Sequence, residues 1–178
     1  MERRKSKLGD EKLIYDESAD MVDRDSAIFR LAVDGYEEMQ PFLENLLNHS
    51  QYMLRSRAIK VLLGGWGLSK YFDKAVEMLH SDPDYSVRSG ACFALSQYAS
   101  NFEDGRKRRD NIISQLIRRL LEESDVAVQE SCYDELLRII EGKRFHSKNY
   151  EFNRNKDVDW KLFQPYLEKY NLEKPKHT

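Results

Sequence analysis

Four segments of this chain repeat one pattern, a small residue followed four positions later by leucine. The pairs are Ala27/Leu31, Ala58/Leu62, Ala91/Leu95 and Cys132/Leu136, at offsets of 31, 33 and 41 residues. Four positions is about one helical turn, so each pair lies on one helix face. The small residue lets a neighbouring helix approach, and the leucine fills the space beside it. Self-similarity at such a period is the mark of a stacked repeat architecture.

A second apolar stripe at helical spacing follows each segment. Met39, Phe42, Leu43, Leu46 and Leu47 form the first; Phe72, Ala75, Val76 and Leu79 the second. Ile113, Leu116, Ile117, Leu120 and Leu121 form the third, and Trp160, Phe163, Leu167 and Tyr170 the fourth. Turns between repeats are nearly constant in length; turns inside repeats vary. Asp82-Pro83, Ser50, Ser69, Ser124 and Asp157 read as helix starts. Gly35, Gly64 and Gly142 read as left-handed residues closing first helices. No segment alternates as a strand would. Each helical pair has an apolar face it cannot bury alone, so the pairs are expected to stack.

The run Asp82-Pro-Asp-Tyr-Ser-Val-Arg-Ser-Gly-Ala-Cys-Phe-Ala-Leu95 resembles the first-helix signature of HEAT-type (armadillo-like) repeats. Leu54-Arg55, Ala58 and Leu62 echo it, as do Val128, Cys132 and Leu136. The resemblance implies an all-α, right-handed α-solenoid of about four helical-hairpin repeats, in a small bacterial protein. Gln129 stands where Arg88 stands one repeat earlier, so an Asp–Arg ladder between repeats is expected to stop there. Repeat one shows no clear Val-Arg. The expected organisation is a tail or short extra helix over residues 1–22, a repeat domain over 23–170 and a tail over 171–178. Leu8, Leu13, Ile14, Met21 and Val22 are candidates for docking onto repeat one. Pro165 either caps the last repeat or divides its helix.

The chain has 178 residues and a net charge of -2, with aromatics at 11%. That combination fits a folded domain and argues against a protein built wholly around polyanion binding. Cys92 and Cys132 cannot make a disulfide framework and read as buried free thiols. The N-terminus lacks a signal-peptide apolar stretch, and no apolar run approaches the ~20 residues of a membrane span. The cytoplasm is the expected compartment. His49, His80, His146 and His177 are scattered, and no zinc, P-loop or His-Glu-x-x-His spacing is present. No catalytic residue, metal or cofactor is expected.

The neutral total hides an expected polarity. Loops inside repeats should emerge on one edge and carry Trp66, Arg106, Lys107, Arg108, Arg109, Lys143, Arg144 and Lys148, interleaved with Phe102, Phe145, Tyr150 and Phe152. Arg118 and Arg119 should face the concave side with the other second helices. These residues read either as a site for an acidic partner or as solvated loops with aromatic plugs. The leading expectation is a non-enzymatic protein-binding module, an adaptor or an immunity-type inhibitor, using its concave face and basic loop edge. The alternative is a nucleic-acid-binding protein like the HEAT-like DNA alkylation repair glycosylases. A lyase or chaperone acting on a cofactor-bearing protein is a third class.

Overall fold

A computed structural model describes residues 2–144 and 152–174, with side chains from residue 8 onward. Among the described residues there are eleven α-helices and no strand. In chain order they are α1 (Glu2–Tyr15), α2 (Met21–Val33), α3 (Gln40–Leu46), α4 (Tyr52–Ile59), α5 (Phe72–Ser81) and α6 (Tyr85–Asn101). Then come α7 (Glu103–Lys107), α8 (Arg109–Glu122), α9 (Val126–Glu141), α10 (Arg154–Asp157) and α11 (Trp160–Lys169). A π-helical segment, Lys60–Gly65, continues α4 without a break.

The helices that carry the small/leucine pairs lie side by side. α2 packs on α4, α4 and the π segment on α6, and α6 on α9. α5 packs on α6, α8 on α9, and α11 on α8. All eight residues of the four pairs are at most 1% exposed. Each buried leucine contributes roughly 1.5–3 kcal/mol of transfer free energy. The small partners set the helix spacing: Cys92 and Cys132 Sγ lie 3.1 Å apart across the α6–α9 contact, both as free thiols.

Helix starts differ from the sequence reading. Asp20, Asp84, Asp125 and Asp159 cap α2, α6, α9 and α11, each accepting from the backbone N–H two residues on. Asp84 caps α6, and Asp82, at the C-terminal end of α5, accepts from Arg55 and from the Asp84 backbone N–H. Gly35 and Gly142 do adopt positive φ, 72° and 69°. Gly64 does not. It sits inside the π segment, where a Cβ would lie 3.1 Å from Ala94 Cα, and Gly67 takes the left-handed turn instead.

The N-terminal extension is helical. α1 packs on α2, with Ile14 fully buried and Arg30 paired to Asp10 at 2.6 Å. Leu8 and Val22 remain exposed. α11 runs through Pro165 without dividing. No described helix is long and apolar enough to cross a membrane.

Candidate functional site

Two constructions repeat along the stacked first helices. The first is an arginine ladder at the turns between helical pairs. Three positions before the small residue stand Arg24, Arg55, Arg88 and Gln129. Each donates to backbone carbonyls of the preceding turn or helix end: Arg24 to Ile14, Arg55 to His49 and Ser50, Arg88 to Asp82 and Pro83, Gln129 to Glu123. Arg55 and Arg88 also reach forward to a carboxylate of the next turn. Arg55 Nη2 meets Asp82 at 2.8 Å, and Arg88 Nε meets Glu123 at 2.9 Å. Gln129 keeps the backward bond and has no charge for a forward one, as the sequence anticipated. Arg24, three residues before Ala27, holds the ladder position in repeat one although no Val-Arg pair marks it.

Glu123 is the strongest node. Its side chain is 1% exposed. Burial pushes its carboxyl upward, but Arg88, the Asp125 backbone N–H and Arg119 outweigh that and hold it at about 2. Arg119, expected on an open concave face, is thus a structural partner of Glu123 and also donates to the His80 carbonyl.

The second construction is a groove of about 550 Å³ across α2, α4 with its π segment, and α6. Its lining repeats in register. Phe29, Lys60 and Phe93 each stand two residues after the small residue of their helix, and Val33, Gly64 and Gln97 stand six after it. Phe29 and Val33 are 51% and 69% exposed. Trp66 closes one end, its indole N–H donating to the Ala32 carbonyl at 3.3 Å. Arg57 stacks 5.1 Å over the Phe29 ring while binding Asp25 at 2.7 Å. Arg138, paired to Glu135 at 3.3 Å, lies 5.5 Å over Phe93.

Lys60 brings a second cation to this groove beside Arg57. It is half-buried and has no hydrogen bond or ion pair among the described residues. Burial, and then the nearby Arg57 guanidinium, lower its pKa, while the Asp25 carboxylate works in the other direction. The π segment makes this wall possible. Its glycine lets the backbone ride against Ala94, and Gly90 leaves room for Ser56 and the Lys60 stem, since a Cβ there would lie 2.2 Å from Ser56 Oγ. π-helical insertions concentrate at functional sites.

The basic loop residues are mostly engaged within the chain. Lys107 pairs with Glu103 at 2.9 Å, and Arg108 lies 4.7 Å over the Phe72 ring. Arg109 donates to the Ile139 carbonyl and Lys143 pairs with Glu141. Arg106 reaches the Ser100 carbonyl at 3.5 Å. Arg118 and Arg144 are exposed. Lys148, with Phe145 and Tyr150, lies outside the described residues. Trp66 joins the groove rather than this loop cluster. Phe102 folds over Gly67 and Tyr98, and Phe152 is buried against Tyr133.

Among the described residues no group of three or more His, Cys, Asp or Glu side chains is placed to hold a metal ion. His80 is tied to Gln115 and His49 accepts from the Gln51 N–H. The arrangement places aromatic surface beside a half-buried lysine. No protein-family model matches the chain, and no curated protein or solved structure matches it.

Proposed function

We propose that this chain is a HEAT-type helical repeat protein, a right-handed solenoid of about four hairpins, that acts as a non-enzymatic binding module. Its partner is a protein, as an adaptor's or a toxin inhibitor's would be. The docking surface is the α2–α4–α6 groove. The observation that carries this reading is Lys60, a half-buried lysine with no ion pair within 4.0 Å, set in register between Phe29, which is exposed, and Phe93, which is half-buried. A partner carboxylate relieves the cost of that charge, and an apolar side chain beside it covers the rings. Aromatic and cationic residues in a concave, desolvated patch are where interface energy concentrates. Contiguous exposed apolar surface rimmed by charge has the same meaning.

The basic loop run is the feature on which the nucleic-acid reading rests, and Lys107 and Lys143 there make exposed pairs with Glu103 and Glu141. A duplex contacting five or six phosphates through these loops would show a log K against log salt slope near −5.

The test is co-purification from the native source with the tagged full chain, comparing wild type with Phe29→Ala and Lys60→Glu. A stoichiometric protein retained by wild type and lost from both variants is the expected result. Retention by both variants would remove the groove from the proposal. Submicromolar duplex DNA binding at physiological salt, with the steep slope above, would replace it with the nucleic-acid reading.

A further inference from the structure

The groove across α2, α4 and α6 has a direction. α4 with its π segment lines it from Arg57 through Trp66, roughly 14 Å of helix at about 1.5 Å per residue, whereas α2 and α6 contribute one turn each, Phe29 to Val33 and Phe93 to Gln97. α2 packs on α4 and α4 on α6, so the long axis follows α4 and the other two helices form the banks. The floor is bare near its middle, where Gly65 is exposed and carries no side chain. Packed helices lie about 8–10 Å apart, which sets the two banks roughly 16–20 Å apart across α4. A helix about 10–12 Å wide with its side chains fits between them, and a glycine floor admits its closest approach.

The banks are set before anything docks. Arg57 lies 5.1 Å over the Phe29 ring and is bonded to Asp25; Arg138 lies 5.5 Å over the Phe93 ring and is paired to Glu135. Rings held in this way lose little freedom when a partner covers them. Lys60 shares their register. Its Nζ is not among the enclosed polar atoms; it retains accessible surface and has no hydrogen-bond partner among the described residues. No described acidic side chain lines the groove, and Asp25 is taken by Arg57.

The hydrogen-bonding capacity left in the lining decides the shape of an occupant. Gln97 already accepts from Asn101 at 2.9 Å, and the Trp66 N–H already donates to Ala32. Lys60 and the Gln97 amide nitrogen remain, both of them donors. An extended segment laid here would bury backbone N–H groups without side-chain acceptors, and among the described residues there is no strand for it to join. A helix closes its own backbone bonds and asks of the groove only a surface for its side chains.

Resting on the groove as the docking surface, we propose that its occupant is an amphipathic α-helix of the partner protein, lying along α4, with an Asp or Glu directed at Lys60 and large apolar residues three or four positions to either side against Phe29 and Phe93. Residues at that spacing share one helix face. Charge complementarity fixes the acid, and the two aromatic banks fix its apolar neighbours.

A library of random 16-residue peptides, displayed on phage and selected on the immobilised full chain, tests it. Enriched sequences should carry Asp or Glu with Leu, Ile, Phe or Met three or four positions to each side and no internal Pro. The most enriched peptide, synthesised with a fluorescent label, should gain helical circular dichroism on binding. Phe29→Ala, at an exposed side chain, should weaken it at least tenfold by fluorescence anisotropy. Lys60→Glu should do the same. A peptide with its acid changed to Lys should bind Lys60→Glu at least tenfold more tightly than it binds wild type, a crossing that misfolding would not produce. Peptides lost on Phe29→Ala that carry Pro, stay non-helical or tolerate loss of their acid would overturn the helix and leave the groove as a docking surface. Peptides indifferent to both Phe29→Ala and Lys60→Glu would overturn helix and groove together. Selection of no peptide would overturn the helix alone, because co-purification judges the groove independently.

Discussion

Replacing Glu123 by glutamine should destabilise the fold by about 3 kcal/mol at pH 7. The side chain accepts from Arg88 Nε at 2.9 Å, from Arg119 Nε at 2.7 Å, and from the Ser124 and Asp125 backbone N–H groups at 2.9 Å each. Both arginine side chains are themselves largely covered, 12% and 13% exposed. Glutamine preserves the shape but leaves two guanidinium groups without their counter-charge. Two lines of reasoning reach the same size. Breaking a buried pair by neutralising one partner costs about 3–5 kcal/mol. A carboxyl held at about 2 against an ordinary value of 4.5 contributes about 3 kcal/mol.

The pH dependence gives that number a signature. The unfolded carboxyl titrates near 4.5 and the folded one near 2, so the contribution is whole above the first value. It is lost as pH falls from the first toward the second. Thermal melts followed by circular dichroism should place Glu123→Gln about 6–12 °C below wild type at pH 7. The gap should narrow steadily below pH 4.5. A gap under 2 °C at pH 7 would refute the buried node, and a gap unchanged at pH 3 would show that the glutamine acts through shape instead of charge.

Ala91→Leu, at a fully buried contact on α6, should cost about 1–3 kcal/mol in urea unfolding through overpacking; a loss under about 0.5 kcal/mol would mean the helix approaches there are looser than drawn. Lys60→Met should move stability and function in opposite directions. It removes a cation penalised first by burial and then by Arg57, and only partly offset by Asp25, so the midpoint should rise while the co-purifying partner is lost. A lower midpoint would show that the ammonium is satisfied in the free protein.

The helical pairing was legible because apolar periodicity and burial answer to the same geometry. Ala27, Leu62, Ala91 and Leu136 were placed in the core by spacing alone, and each is fully buried. Helix starts were less legible, because several aspartates compete at each turn. Asp82 ends α5 and is claimed by a residue 27 positions upstream, Arg55, while Asp84 starts α6. A long-range partner of that kind is invisible to a local rule. The loop cations were conspicuous as a run, yet charge in a run says nothing about what each side chain meets. Arg108 finds the Phe72 ring and Arg109 a carbonyl of α9.

The groove shows which signal carries further. Phe29, Lys60 and Phe93 are unremarkable one at a time, separated by 31 and 33 residues. In a stack of like helices, equal register becomes spatial adjacency, so residues one repeat apart line a common surface. In the sequence Arg24, Arg55 and Arg88 share one register, and His49, Asp82 and Glu123 another. The informative positions are therefore those where the register holds and the chemistry changes. A lysine stands between two phenylalanines along one row, and a histidine stands where two carboxylates follow along another.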